Sequence, residues 1–282
     1  MKINVLKIGF TPCALASALF AVGAAQAQTT PDPIAITLAG NTSYDGWNNL
    51  TAANYPGFPG FPGTGNWPHP IVANTPGSGD ATFNKIANGA GGGAEPAGSS
   101  IYNGGFSAAP NTQGATFAVA DSTPLANLQT LVFQLDIGEA FGYDLWNHAA
   151  PTLTYTTSAG VFNAAASFFG TLVKYDTGES VEMPIGPGGN LEAVEIYQNL
   201  YAYQFDLSGV TDPITSFAID YTGVQHSQIY AMQLDQSDVA YSQAAYTQTA
   251  AVPEPSTVAA GALMLLPLGA GIFRVLRKER AA

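Results

Sequence analysis

From Thr112 to the 230s, apolar and polar residues alternate with period two, and this pattern more than any other limits what the chain can fold into. Over residues 131–137, Leu131, Phe133, Leu135 and Ile137 fall on one side of an extended backbone. Tyr201, Tyr203, Phe205 and Leu207 alternate with Ala202, Gln204 and Asp206, and Phe217, Ile219 and Tyr221 repeat the pattern. Phe117 with Val119, and the stretches 152–157, 166–175 and 229–234, add further strands. Turn-forming residues separate these runs, as in an antiparallel sandwich or barrel. No segment between residues 28 and 250 carries a sustained helical stripe. Residues 191–200 are ambiguous, because Glu192, Ala193 and Glu195 also suit a helix. The expectation is a single all-β domain over 28–250, a β-sandwich of jelly-roll topology, since its strands are many, short and joined by long loops.

The preceding stretch is of another kind. Residues 40–111 are dense in Gly, Pro, Asn and Ser, and Tyr55, Phe58 and Phe61 are each followed by Pro-Gly. Proline removes a backbone donor and glycine permits unusual dihedrals, so these are loop signals. An unstructured loop of this length is improbable inside a folded domain. Short strands are therefore expected near 81–86 and 100–106. A first strand is expected at 34–39, with Ile34, Ile36 and Leu38 on one face.

Charge separates by region. Six of the eight basic residues lie in the two ends, leaving Lys85 and Lys174 between Gln28 and Pro253, while eighteen of the twenty acidic residues lie there. Eighteen minus two gives −16 on that span. Such a field repels phosphate backbones, so nucleic acid is excluded as a partner. It suits a protein among neutral polysaccharide. No cofactor is expected, and calcium is the structural ion the acid excess would accept. Cys13 is the only cysteine and precedes residue 28, so the domain has no disulfide or thiolate chemistry.

Both ends carry targeting patterns. Lys2 and Lys7 precede an apolar stretch, roughly residues 8–25, which closes on Ala25-Gln26-Ala27. Residues 1–27 thus read as a secretory signal peptide, cut between Ala27 and Gln28 by signal peptidase after passage through the secretion translocon. A retained anchor fits less well, because Pro12 interrupts the apolar region. A lipoprotein signal would need small residues before Cys13, where Phe10, Thr11 and Pro12 stand. At the other end, Pro253-Glu254-Pro255 leads into an apolar run over 258–273, and Arg274, Arg277, Lys278 and Arg280 follow. The prolines hold an extended segment that a protease cleft can grip. The run is about 25 Å long as a helix, a short transmembrane segment, and the basic cluster holds its far end in the cytoplasm.

Residues 251–282 together resemble the PEP-CTERM sorting signal of Gram-negative bacteria. The resemblance implies that an exosortase recognises Pro253, Glu254 and Pro255. It would process the tail, after a transient stay in the inner membrane, and release the protein to the envelope, cell surface or extracellular polysaccharide matrix. A sortase signal would place LPxTG before the apolar run, whereas Leu266-Pro267-Leu268-Gly269 lies inside it. Residues 45–47, 55–57, 138–140 and 224–228 resemble the galactose-binding-like ectodomains found on such proteins, a resemblance that brings a fold and no defined activity.

Catalytic signatures are missing from the sequence: there is no HExxH, GxSxG, P-loop or dinucleotide fingerprint. His69, His148 and His226 are far apart. Asp136, Glu139, Asp144, Glu179 and Glu182 are candidates for the paired carboxylates of a glycosidase, but sequence alone sets no two of them opposite each other. Trp47, Tyr55, Phe58, Phe61 and Trp67 crowd one loop-rich stretch beside Asn48, Asn49 and Asn66. Exposed rings stack on sugar faces, and amides read hydroxyls, so these five are the candidate glycan-stacking residues. The rival assignment has the same rings sealing an edge of the sandwich. The expected function is a non-enzymatic, carbohydrate-binding surface protein. The alternatives are a purely structural matrix component and a secreted glycan-active enzyme.

Overall fold

A computed structural model describes residues 31–107, 109–185 and 190–246, so the signal-peptide and sorting-tail assignments lie outside the described residues. Thirteen strands form two antiparallel sheets. The first contains β1 (Thr42–Trp47), β4 (Ala94–Ala97), β5 (Ser100–Asn103), β7 (Thr130–Gly138), β10 (Phe168–Ile185), β11 (Asn190–Asp206) and β13 (Gln228–Ser237). Its order is β10-β11-β7-β13-β5-β4, with β1 also paired to β13. The second contains β2 (Ile71–Val72), β3 (Thr82–Ala87), β6 (Gln113–Asp121), β8 (Thr152–Thr157), β9 (Gly160–Ala165) and β12 (Ile214–Val224), in the order β2-β3-β6-β12-β8-β9. The only helical turns among the described residues are 3₁₀ segments at Ala52–Asn54 and Trp146–His148. The protein is all-β.

The alternation places the core where period two requires. Leu131, Phe133, Leu135 and Ile137 of β7 pack with Tyr203 and Phe205 of β11 against Phe117 and Val119 of β6 and Phe217, Ile219 and Tyr221 of β12. Phe83, Phe117, Tyr221 and Phe133 form a file of rings through this core, with successive centroids 5.3, 5.5 and 5.8 Å apart. Tilted pairs at this spacing add to the burial energy of each ring.

One expectation is corrected, one ambiguity is resolved, and one region holds more strands than expected. Residues 34–39 are not a strand. They run as an extended strap over the outer face of the first sheet, where side chains replace a partner strand: Ile34 N donates to Gln134 Oε1 at 2.9 Å, and Gln134 Nε2 donates to Ile34 O at 2.8 Å. Residues 191–200 belong to β11, because β10 pairs along this stretch and β7 joins on the other side from Gln198 onward, which satisfies the backbone as strand. The glycine-rich region contains β1, β2 and β4 besides the two expected strands, since pairing partners distant in sequence override its weak periodicity.

A second strap, residues 243–246, closes the same outer face. Val132, Leu172, Leu200, Ala202 and Tyr246 form a small apolar cluster there, flanked by Ile34 and Ile36 from the first strap. Gln204 reaches up from β11, donating to Gln243 O at 3.1 Å and accepting from Ala245 N at 2.7 Å. Gln134 and Gln204 thus dock both straps by the same paired amide geometry.

Candidate functional site

The five candidate rings separate into three groups. Trp47 is 0% exposed and donates Nε1–H to Ile71 O at 3.1 Å. Trp67 is 8% exposed and donates Nε1–H to Ala94 O at 2.8 Å. Both belong to the core, so neither can stack on a sugar, and the assignment of these two as glycan-stacking residues is corrected. An indole satisfied by a carbonyl is as well placed in a core as any apolar ring. Tyr55 and Phe58 are half-buried and pack against that core, with Phe58 centred 5.2 Å from Trp67 and 5.4 Å from Tyr55. Phe61 stands apart. It is 54% exposed and meets Phe106, itself 74% exposed, edge to face at 5.1 Å.

The loops that carry these two rings are fixed from beneath. Lys85 sends its ammonium into the fold, donating to Gly63 O and to Gly65 O, the latter at 2.6 Å. Asn88 Nδ2 donates to Thr64 O at 2.8 Å and Gly93 N to Pro62 O at 2.8 Å. Gly63 has φ +74°, and a Cβ there would lie 2.7 Å from Ala94 N, so glycine is required. Burial lowers the Lys85 pKa to about 8, and nearby Glu95 opposes that shift. Glu95 is itself buried, its pKa raised by desolvation, and its Oε2 has no partner among the described residues.

Phe106 is held through its neighbours. Ser107 N donates to Gln225 Oε1 at 3.1 Å, and Ser107 O accepts from His226 Nε2 at 2.9 Å. A carbonyl can only accept, so His226 carries its proton on Nε2 and receives the Tyr102 hydroxyl on Nδ1 at 2.5 Å. His226 therefore positions a loop, with φ +73° in the turn between β12 and β13. His148 stacks on Tyr143 at 4.7 Å, and His69 Nδ1 lies 2.9 Å from Pro70 O. The three histidines do not converge. Among the described residues no group of three His, Asp or Glu side chains could hold a metal ion.

No family model, curated protein or solved structure matches this chain.

Two of the five candidate carboxylates do come together. Asn199 Nδ2 donates to Glu139 Oε1 at 2.8 Å and to Asp144 Oδ2 at 2.9 Å. Asp144 accepts three hydrogen bonds in all, since Oδ2 also accepts the Tyr201 hydroxyl at 2.7 Å and Oδ1 accepts Leu145 N at 2.6 Å. Glu139 additionally pairs with Lys174 at 3.3 Å. These contacts fasten the segment after β7 to β11. Asp136 is buried against Gln198, which donates to both its oxygens at 2.9 Å, and burial raises its pKa to about 8. Glu179 lines a small cavity of about 140 Å³ beside Glu139, and Glu182 is exposed.

Sequence reasoning missed Phe106. Its signal was a lone phenylalanine after Gly104-Gly105, with no aromatic neighbour in sequence to mark it.

Proposed function

We propose that this chain is an exported, exosortase-sorted protein of the Gram-negative cell surface or its polysaccharide matrix, non-enzymatic, which touches neutral polysaccharide through Phe61 and Phe106. The observation that carries the sorting half is the order Pro253-Glu254-Pro255, apolar run, basic cluster, opposite a signal-peptide pattern that ends at Ala27. The contact half is supported by two large rings left in solvent on loops that Lys85, Gln225 and His226 hold in place. Ordered loops lose little entropy on binding, so even two rings give a usable contact. Repeated crossing between the sheets, with hairpins confined to neighbouring strands, supports a galactose-binding-like jelly roll. Burial of Asp144 and the three hydrogen bonds it accepts favour an anchoring role for that carboxylate over a nucleophile or base in a glycosidase.

The test has two arms. Replacing Pro253, Glu254 and Pro255 with alanine should leave a longer chain in the membrane fraction, and unchanged release of that variant would sink the sorting half. Phe61→Ala combined with Phe106→Ala should release the protein from insoluble neutral polysaccharide while its melting temperature holds. Undiminished retention would sink the contact half.

A further inference from the structure

One cavity has neither exposed ring among its lining residues. A groove of about 640 Å³ opens between the first strap, residues 32–38, and β1, with β13 as its floor. This volume falls within the range of small-ligand sites, room for about two or three sugar rings.

Its chemistry is selective. Asp32 and Asp235 line it, with no lysine, arginine or histidine among the lining residues, so the lining supplies no basic side chain to an anionic ligand. Tyr44, Asn48 and Thr75 add a ring, an amide and a hydroxyl along the β1 side. The groove holds a fixed amide beside an unpaired hydroxyl. Gln233 is only 5% exposed, and its Nε2 donates to Asp235 Oδ2 at 2.8 Å and to Ile34 O at 3.3 Å. Ser43 Oγ, from β1, is buried with no partner among the described residues. A buried hydroxyl left unpaired beside a fixed amide is a preset partner for a sugar hydroxyl. Asp235, directly beside that amide, has its pKa raised to about 7 by burial, so at neutral pH its carboxyl is partly in the protonated form.

We propose that this groove binds the end of a neutral oligosaccharide, with Gln233 and Asp235 reading its hydroxyls and Tyr44 lying along a ring. The proposal rests on the reading of the protein as a polysaccharide partner and gives it a second, shape-selective site. The exposed pair Phe61 and Phe106 would hold polymer of many kinds, whereas the groove would select among chain ends.

The test uses the full chain in a detergent without a sugar headgroup, titrated calorimetrically with neutral gluco-, galacto- and xylo-oligosaccharides of two to four units. At least one series should bind. Gln233→Met should weaken it tenfold or more. Ala35→Trp, at an exposed strap position that lines the groove, should do the same by filling it, without touching the sheet. The double variant of Phe61 and Phe106 should bind the short sugar within twofold of the parent. Equal binding by the parent and both groove variants would overturn the proposal. So would no heat from any sugar while polymer retention through Phe61 and Phe106 persists, an outcome that leaves the broader reading intact. Loss of both activities from the parent would remove that reading as well. Competition of the sugar by calcium alone, at ionic strength matched with sodium, would make the groove a cation site and contradict the assignment.

Discussion

Trp67 and Phe61 sit six residues apart and have opposite relations to the fold. Removing the Trp67 indole would empty a space between Phe58, Phe83 and Phe117 and leave Ala94 O without its donor. Trp67→Ala should therefore cost about 3–5 kcal/mol in urea unfolding. Phe61→Ala should stay within about 0.5 kcal/mol of the parent, because the ring is mostly in solvent. Similar losses from the two variants would mean that the Phe61 loop is part of the core. Sequence grouped five rings that the fold separates, burying Trp47 and Trp67 and leaving Phe61 in solvent. In a stretch without period two, nothing in the spacing says which rings point inward. Phe106 was illegible for a related reason, as it meets Phe61 only because Gly104 packs against Pro62 O.

The straps follow a different logic from the strands they cover. Gln204→Ala would remove the donor to Gln243 O and the acceptor for Ala245 N together, leaving two backbone groups that must find water. The expected cost is about 1–3 kcal/mol, confined to the second strap. Hydrogen exchange should show it directly: the Ala245 amide loses protection while the β7–β13 ladder keeps its own. Equal loosening across β7 would mean that the strap is integral to the sheet. Strands β6, β7, β11, β12 and β13 were readable because each turns one row of side chains into the apolar core between the sheets, which forces alternation. The first strap shows the same alternation of Ile34, Ile36 and Leu38 without being a strand. Period two reports one buried face of an extended chain, and whether the backbone pairs with a ladder or with glutamine side chains leaves no mark on it. Strands β1, β2 and β4 were hidden because their register is set by partners far along the chain.

Across the molecule, acidity and burial conflict. Burial raises the pKa of Asp45 to about 6, with Asp121 and Asp80 adding to the rise, that of Asp136 to about 8 and that of Asp235 to about 7. A carboxyl whose pKa is higher folded than unfolded contributes most below its unfolded value, and the contribution is lost as pH rises through the folded value. The melting temperature should accordingly rise as pH falls from 8 to 5. Lys85 acts in the opposite sense only above about pH 8, where its lowered pKa lies. A melting temperature that is flat or falls over pH 8 to 5 would mean that these acids are paired or hydrated. Asp136→Asn should remove part of the slope.

The tail and the leader rest on order and composition alone, because targeting signals are linear patterns and not folded shapes, and both lie outside the described residues. The central claim is that both are cut. Its most direct test is the intact mass of the native protein recovered from the cell exterior of a Gram-negative host that carries an exosortase. The account predicts a chain that begins at Gln28 and has lost the apolar run and basic cluster beyond Pro253-Glu254-Pro255. A protein found only in the inner membrane, still carrying Arg274 to Arg280 at its end, would contradict it.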